Sequence, residues 1–461
     1  MSIKLFNTLT QKNELFTPIN PSKVQMYVCG PTVNDRAHIG NARSIVIYDI
    51  LYRLLATEYG ISHVQYVRNI TDVDDKINAA AKKNSVPIKE LTAKVIGHFN
   101  EDMAELNCLT PNIEPKATEH IEDMIKMIEV LIKNGHAYVA NKHVYFDVSS
   151  DANYGKIAGR NLNEMIAGSR IEVNHDKKSP GDFVLWKPKD EDDDPSSIFQ
   201  SPWGDGRPGW HIECSAMSTK YFGADFDIHG GGIDLIFPHH TNEIAQSCAC
   251  HKGSSYARYW VHNGFLTVNG EKMSKSLGNF FTVRDLLDQG MRGETIRYVY
   301  LASHYRKPLN WTDKAADDAK KALDSFYRII ENHDVKSAAS SIEPRIYAAL
   351  CEDLNTSEAL GIMHDMVKQY NKSSEDSERE RIAHNLYAAG KLLGLFYTPS
   401  WFNKEAIDVD TEAQINELIA LRTQAKQNKD WQQADKIREQ LKSMGVAIED
   451  GADGVTSWRR V

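Results

Sequence analysis

The run Val24-Gln25-Met26-Tyr27-Val28-Cys29 is largely apolar and is stopped by Gly30-Pro31, the pattern of a short strand. A helix is predicted to open near His38-Ile39-Gly40. It continues through Ser44-Ile45-Val46-Ile47-Tyr48-Asp49-Ile50-Leu51, whose apolar positions call for burial. Val64-Gln65-Tyr66-Val67-Arg68-Asn69-Ile70 reads as the next strand, and strand, helix, strand in this order implies a parallel sheet. The alternation returns at Ala224-Asp225-Phe226-Asp227-Ile228-His229 and passes through Gly230, Gly231 and Gly232. It then predicts a helix from near Pro238 and a strand around Tyr259 to Leu266. The stretch between these regions has another texture: a helix over Glu119 to Asn134, a hairpin over Ala137 to Asp147 and an acidic loop at Asp190 to Asp194. Beyond Trp311 the period turns helical, over Asp313–Asn332, Ile342–Leu354, Ser357–Tyr370 and Glu378–Leu393, with a loop at Ser373 to Asp376. Pro399 to Thr411 reads as a linker, and a last helix runs from Glu412 to Met444 with a break near Asn428.

These elements describe an α/β protein: a Rossmann-like parallel-sheet domain split by an insertion, followed by an α-helical bundle and a small C-terminal unit. The length of 461 residues agrees, since about 150 residues per domain suggests roughly three units. A composition that is 41% apolar and 25% charged excludes a wholly disordered or collagen-like chain. Lys plus Arg number 54 and Asp plus Glu 63, a net charge of -9, which excludes a globally basic nucleic-acid binder but not a local basic patch. Cys29, Cys108, Cys214, Cys248, Cys250 and Cys351 are sparse and irregularly spaced, which points to reduced thiols and metal ligands rather than a disulfide framework. No run reaches about 18 apolar residues, so no membrane span is expected. Met1 to Phe16 lacks a basic segment followed by an apolar run, and a cytoplasmic location is the expectation.

Two segments suit phosphate chemistry. Cys29 to Asn41 lies at a strand-to-helix turn, where open α/β sheets bind ligands. There a helix N-terminus offers N–H groups to phosphate, Gly40 permits close backbone approach, and His38 has a hydrogen bond to give. Glu271-Lys272-Met273-Ser274-Lys275-Ser276-Leu277-Gly278-Asn279 suits a loop that closes on phosphates, its lysines supplying compact charge to an anionic transition state. Taken singly, the first is equally a helix start with a surface histidine, and the second a solvated basic turn.

Together they resemble the class I aminoacyl-tRNA synthetases. His38-Ile39-Gly40-Asn41 is similar to the "HIGH" signature and Lys272 to Ser276 matches "KMSKS" throughout, in the expected order. The resemblance implies activation of an amino acid by in-line attack on the α-phosphate of ATP, with Mg2+ accompanying the nucleotide. His38 would contact the phosphates, Lys275 would stabilise the leaving pyrophosphate, and Lys272 and Asn41 are the other implied catalytic residues. Gly40, Asn41, Gly230, Gly231 and Asp234 complete the implied ATP site, Asp234 facing the ribose. Asn41 departs from the usual histidine; its amide still donates a hydrogen bond but cannot be cationic.

Cys29 and Cys214, with His239 and Glu243 at i, i+4 spacing, offer two thiolates, an imidazole and a carboxylate for a tetrahedral Zn2+ site. On spacing alone Cys248, Cys250 and His251 compete, and a lone buried cysteine is more often inert packing. Cys29 to Val33, Gly209 to Met217, Gly230 to Glu243, Trp431 to Arg438 and Trp458-Arg459-Arg460 resemble the cysteinyl-tRNA synthetase family. That resemblance implies one zinc per chain, held by Cys29, Cys214, His239 and Glu243, with the substrate thiol as a fifth ligand. A zinc ion separates cysteine from serine far better than a pocket wall, which discriminates poorly between isosteres. Thr71, Trp210 and His229 match pocket residues that would hold the amino and carboxylate groups; for Trp210 the plainer reading is core packing.

The implied division is 1–115 and 209–310 for the two catalytic halves, 116–208 for an insertion contacting the acceptor end, 311–398 for an anticodon-stem bundle and 399–461 for anticodon binding. Over Leu421 to Lys442 the residues Arg422, Lys426, Lys429, Lys436, Arg438 and Lys442 outnumber Asp430, Asp435 and Glu439, and Trp431 lies among them. Such a stripe suits tRNA phosphates and an unpaired base, or equally a solvated helix with a half-buried Trp. The expected partners are tRNA(Cys), ATP and L-cysteine, with no membrane and a monomer as the default. Two rivals share the motifs: a ligase joining cysteine to a sugar amine, which has no need of the basic C-terminal unit, and a non-catalytic tRNA-binding paralogue.

Overall fold

The computed structural model describes residues 2–159, 176–191, 193–336, 341–399, 401–402, 409–444, 446–450 and 456–460. Most of the linker expected over Pro399 to Thr411, and the middle of the expected insertion, lie outside the described residues. The chain forms two compact units, 1–397 and 398–461.

An N-terminal hairpin, β1 (Lys4–Asn7) with β2 (Lys12–Leu15), precedes β3 (Val24–Val28), every residue of which is buried. After β3 come α1 (Ile39–Tyr59) and β4 (Val64–Arg68), then α2 (Asp75–Asn84), α3 (Ile88–Glu105) and α4 (Ile121–Lys133). An antiparallel sheet follows, built from β5 (Ala137–Ala140), β6 (His143–Phe146), β7 (Phe183–Pro188) and β8 (Gly206–Pro208) in that order. The chain returns through α5 (Trp210–Phe222), β9 (Phe226–Gly232), α6 (Thr241–Cys250) and β10 (Ala257–Asn263). The central sheet has the order β10-β9-β3-β4 and is parallel throughout, so the two predicted halves meet at the β9–β3 pair. Burial on both faces explains why its strands read as continuous apolar runs. α4 and the β5–β8 sheet share one core with α5 and β10: Met124, Ile128 and Trp186 pack in the same cluster as Ile212, Met217 and Trp260.

One expectation shifts. The strand predicted over Tyr259 to Leu266 breaks into β10 and β11 (Leu266–Val268), which pairs with β12 (Glu271–Lys272). Gly264 marks the break, where a Cβ would sit 2.7 Å from the carbonyl oxygens of Arg306 and Lys307. The helix predicted from near Pro238 is present: from Pro238 to His240 the backbone is helical and winds directly into α6, while Phe237, as the residue before a proline, stays extended at φ -137° and ψ 131°.

The remainder of the first unit is α7 (Val283–Asp288), α8 (Gly293–Leu301), β13 (Leu309–Trp311) alongside β11, and α9 (Asp313–Ile330). Then come α10 (Pro344–Cys351), α11 (Thr356–Lys372) and α12 (Asp376–Leu392). α1 contacts both the sheet and α8, which accounts for apolar residues around most of its circumference. Its buried Arg43 guanidinium donates to the carbonyls of Gly264, Phe265, Tyr305 and Lys307 at 2.9, 2.7, 3.3 and 2.8 Å, pinning the helix to the segments around β11.

The second unit pairs α13 (Val409–Gln427) with α14 (Trp431–Ser443) and a hairpin, β14 (Val446–Asp450) with β15 (Thr456–Arg460). The break expected near Asn428 separates the two helices, and Asp430 caps the second by accepting from the Gln433 amide at 3.1 Å. Ile415, Leu418, Ile437 and Leu441 form its core. Arg422 is buried rather than part of a solvated stripe, whereas Lys429, Lys436, Arg438 and Lys442 are exposed and Trp431 is 60% exposed.

Candidate active site

The site lies at the carboxyl ends of β3, β9 and β4. His38 caps α1: its Nδ1 accepts from the amides of Gly40 at 3.1 Å and Asn41 at 3.2 Å. An imidazole nitrogen that accepts carries no proton, so the ring is neutral and its proton sits on Nε2, free to donate elsewhere. Burial holds the His38 pKa below its usual value and reinforces this form. The Ile39 amide donates to the Phe281 carbonyl at 3.0 Å and the Ala42 amide to the His38 carbonyl at 3.1 Å. The first amides of α1 are therefore engaged, and the backbone contact to phosphate expected at Gly40 gives way to side chains. Gly40 has a different necessity: a Cβ there would lie 3.0 Å from the His38 ring.

The glycines after β9 are also filled by protein. A Cβ at Gly230 would meet the Tyr48 ring at 2.3 Å, and one at Gly231 would meet His240 at 2.8 Å. The Tyr48 hydroxyl, with one proton to give, lies 2.7 Å from the carbonyl oxygens of both Gly231 and Val261, locking α1 against the sheet. Asp234 is exposed in the turn after β9 and sits within electrostatic reach of His38.

Lys272 ends β12, and Lys275 begins a short turn capped by Ser274. Asn279 braces the loop, accepting from the Ser274 amide at 2.8 Å and donating to the Lys272 carbonyl at 3.3 Å. Lys275 Nζ lies 2.6 Å from the Asp35 carboxylate and over the Phe280 ring, and Phe280 packs edge-on against His38. The two signature segments are thus in direct contact, with Asn41 exposed on the second residue after His38's neighbour Ile39.

Cys29, Cys214, His239 and Glu243 converge with their donor atoms all within 4.8 Å of one another. Cys29 Sγ is 3.7 Å from Cys214 Sγ, 3.5 Å from His239 Nε2 and 3.5 Å from Glu243 Oε1, and His239 Nε2 is 3.0 Å from Glu243 Oε1. A second grouping, Cys29, His229, His240 and Glu243, is equally compact and shares two members with the first. The arrangement is built locally. β3 ends at the first sulfur, α5 carries the second, and the turn into α6 presents the imidazole above the carboxylate. Asn69 braces the turn after Cys29 by accepting from the Gly30 amide at 2.9 Å, and its Oδ1 lies 3.6 Å from Cys214 Sγ.

The electrostatics favour a cation. Burial pushes the Cys29 thiol up. Burial also acts on Cys214, but hydrogen bonds with Cys29 and His239 outweigh it and bring the thiol down to about 6. Burial opposes protonation of His239, yet the Glu243 charge and bonds to Cys214 and Glu243 carry it up to about 10. Burial likewise opposes ionisation of Glu243, but His229 and His239 hold it well below the carboxylate range. A proton on His239 thus balances the buried negative charge, the position that a metal cation takes when it displaces protons from its ligands.

The other pocket residues surround this cluster. Trp210, 37% exposed, stacks on His239 with ring centroids 4.1 Å apart. Thr71 donates to Glu213 at 2.8 Å, and burial raises that carboxyl well above its usual range. His229 lies behind Glu243, 2.9 Å from its Oε2 and stacked on Trp260, with an unpaired Nδ1. Sequence reasoning missed Asn69, Glu213, His211, His240, His262 and Tyr256. His211 meets His239 at 2.9 Å, His240 meets His262 at 2.7 Å, and Tyr256 donates to Glu243 at 2.9 Å. The signal for three of them was adjacency: Glu213 precedes Cys214, His211 precedes it by three, and His240 follows His239. Cys248 and Cys250 lie outside both groupings.

Residues 15–321 match the family described as tRNA synthetases class I (C) catalytic domain, residues 345–397 a DALR domain, and residues 408–459 a cysteinyl-tRNA ligase anticodon binding domain. The cysteine–tRNA ligase of a Wolbachia strain from Drosophila simulans (wRi) is 53% identical over 463 residues, covering 99% of this chain and 100% of that one. That of Rickettsia bellii is 53% identical over 462 residues, covering both chains fully. In fold, the chain resembles a Mycobacterium tuberculosis methionyl-tRNA synthetase, with TM-score 0.56, 15% identity and coverage of 81% of this chain and 89% of that chain. It also resembles the Agrobacterium radiobacter LeuRS solved with tRNA, with TM-score 0.59, 12% identity and coverage of 82% and 84%. The match over the catalytic core and the full-length identity together place this chain in the class I cysteinyl-tRNA synthetase family.

Proposed function

We propose that the protein activates L-cysteine with ATP and transfers it to the 3′-terminal adenosine of tRNA(Cys). The observation that carries the reading is the buried two-sulfur cluster at the same end of the sheet as the His38 and Lys275 segments. Its geometry supports zinc. With Zn–S near 2.3 Å and Zn–N or Zn–O near 2.0–2.1 Å, the edges of a tetrahedron are about 3.8 Å for S···S and about 3.6 Å for S···N or S···O. The corresponding separations here are 3.7, 3.5 and 3.5 Å, and the N···O edge, about 3.3 Å in such a tetrahedron, is 3.0 Å between His239 and Glu243. Bound there, zinc favours a thiolate over a hydroxyl and so separates cysteine from serine. Cys29, Cys214, His239 and Glu243 would hold it; Trp210 walls the pocket, and Thr71 Oγ1 accepts from the substrate ammonium while donating its own proton to Glu213. His229 fixes Glu243 from behind.

For the adenylate step no protein nucleophile is needed, and positioning with electrostatics supplies the rate. His38 donates from Nε2 to a phosphate oxygen, Asn41 adds a neutral donor, and Lys272 and Lys275 gather the charge of the departing pyrophosphate. Mg2+ enters with ATP, and Asp234 accepts from the ribose. Gly230 and Gly231 keep the β9 turn close to α1 beneath the nucleotide. The 116–208 insertion faces the acceptor end, 311–398 the anticodon stem and 399–461 the anticodon. A monomer in the cytoplasm completes the reading, in keeping with six free thiols. Among the described residues no helix is long and apolar enough to cross a membrane. The anticodon-binding match argues against a sugar-amine ligase, and the intact lysines and donor cluster against a non-catalytic paralogue.

Aminoacylation of tRNA(Cys) with cysteine and with serine, with and without zinc, tests the proposal. The purified protein is expected to carry about one zinc per chain and to charge cysteine alone. Metal-free protein that still prefers cysteine to serine would overturn the zinc assignment. Asn41→Ala is expected to slow ATP–pyrophosphate exchange about 10- to 100-fold, the scale of one hydrogen bond to a charged group. Unchanged exchange would make that position passive.

A further inference from the structure

Asp102, near the end of α3, lies far in sequence from both signature segments, yet binds the flanks of both. Arg36 Nη1 is 3.1 and 3.3 Å from Asp102 Oδ1 and Oδ2, and Arg284 Nη2 is 3.1 Å from Oδ1. Arg36 stands two residues before His38, and Arg284 lies in α7, just past the Lys275 loop. The Asp102 side chain is 0% exposed, and the two arginines are 25% and 29% exposed. Beside this clamp the backbones pair as well: the Ile39 amide donates to the Phe281 carbonyl at 3.0 Å and the Val283 amide to the Ala37 carbonyl at 3.4 Å.

The two ends of the loop are held differently. At its tip the Lys275–Asp35 pair is 68% and 54% exposed, the kind of ion pair that water and salt weaken to little net value. At its base the Asp102 carboxylate is buried, and removing one partner from such a pair is costly. The tip is thus held weakly and the base firmly. We propose that Asp102 is a positioning residue that sets the register of the Lys275 loop against His38 during adenylate formation. The proposal rests on the activation chemistry above.

The volume-matched Asp102→Asn removes the charge that two guanidiniums share. A 1 Å misplacement of a catalytic group costs about 100-fold, so kcat for ATP–pyrophosphate exchange is expected to fall about 10- to 100-fold. The KM for cysteine is expected to stay within about twofold, because the pocket is built from β3, α5 and the turn before α6. Arg284→Gln alone is expected to lower kcat about tenfold, and in the Asp102→Asn background to add nothing, since both act through one contact. A structural defect alone would instead give losses that multiply. If Asp102→Asn does not fold, Arg284→Gln, on a partly exposed side chain, carries the same KM-against-kcat test. Folded variants with kcat within twofold of the unaltered protein, or with multiplying losses, would overturn the clamp while leaving the activation reading intact. Absence of exchange in the unaltered protein would overturn both.

Discussion

Lys275→Ala is expected to lower kcat for ATP–pyrophosphate exchange by about 10²- to 10³-fold while leaving thermal stability unchanged. Removing one preorganised donor aimed at transition-state charge costs about that much. Lys275 is well placed for a clean test because it has so little else to do. Its side chain is mostly exposed, its ion pair with Asp35 is solvated, and its contact with Phe280 lies at the surface. An exposed pair of this kind contributes about 0–1 kcal/mol to folding. The loss should appear in kcat more than in the KM for ATP, because the pyrophosphate gathers charge only as it leaves. A rate within fivefold of the unaltered protein would remove Lys275 from the chemistry.

Cys214→Ala carries the second large effect. The side chain is buried, and it is one of only two sulfurs in the cluster. Its loss leaves a three-donor set of Cys29, His239 and Glu243, so the variant is expected to purify with little zinc. Cysteine and serine should then be activated at rates within about 10²-fold of each other, the limit for a pocket that must separate near-isosteres by packing alone. Metal analysis and exchange with each amino acid check this. Full zinc content with unchanged selectivity would show that the second grouping, through His229 and His240, holds the metal instead.

What was legible in the sequence follows from how locally each feature is encoded. The strands β3, β4, β9 and β10 stood out because a parallel strand buried on both faces reads as an unbroken apolar run. The hairpin β1–β2 did not, since Lys12-Asn13-Glu14-Leu15 has no such run. The helix start near Pro238 is legible because proline bars Phe237 from the helical region and fixes the first turn, on which His239 and Glu243 meet at 3.0 Å. The donor set was readable only through resemblance; spacing alone left Cys248, Cys250 and His251 as competitors. The sequence marks His38 as a candidate phosphate contact but not as a cap, because capping depends on the rotamer that places Nδ1 over two amides. Asp102 had no local signal at all. Its meaning lies in Arg36 and Arg284, 66 and 182 residues away. Arg422 was counted among solvated cations because composition does not say which face of α13 the core takes.

The capped start of α1 bears on how products leave. A nest of free backbone amides attracts any anion of suitable size, at all times, and would retain pyrophosphate as readily as it receives ATP. Here those amides are already engaged by His38 and Phe281. In the proposed reaction the affinity for phosphate therefore falls to side chains, chiefly on a loop whose tip is fastened by a solvent-exposed ion pair. In the proposed reaction, a tip that withdraws takes most of the positive charge with it and leaves the spent anion only the neutral donors His38 and Asn41.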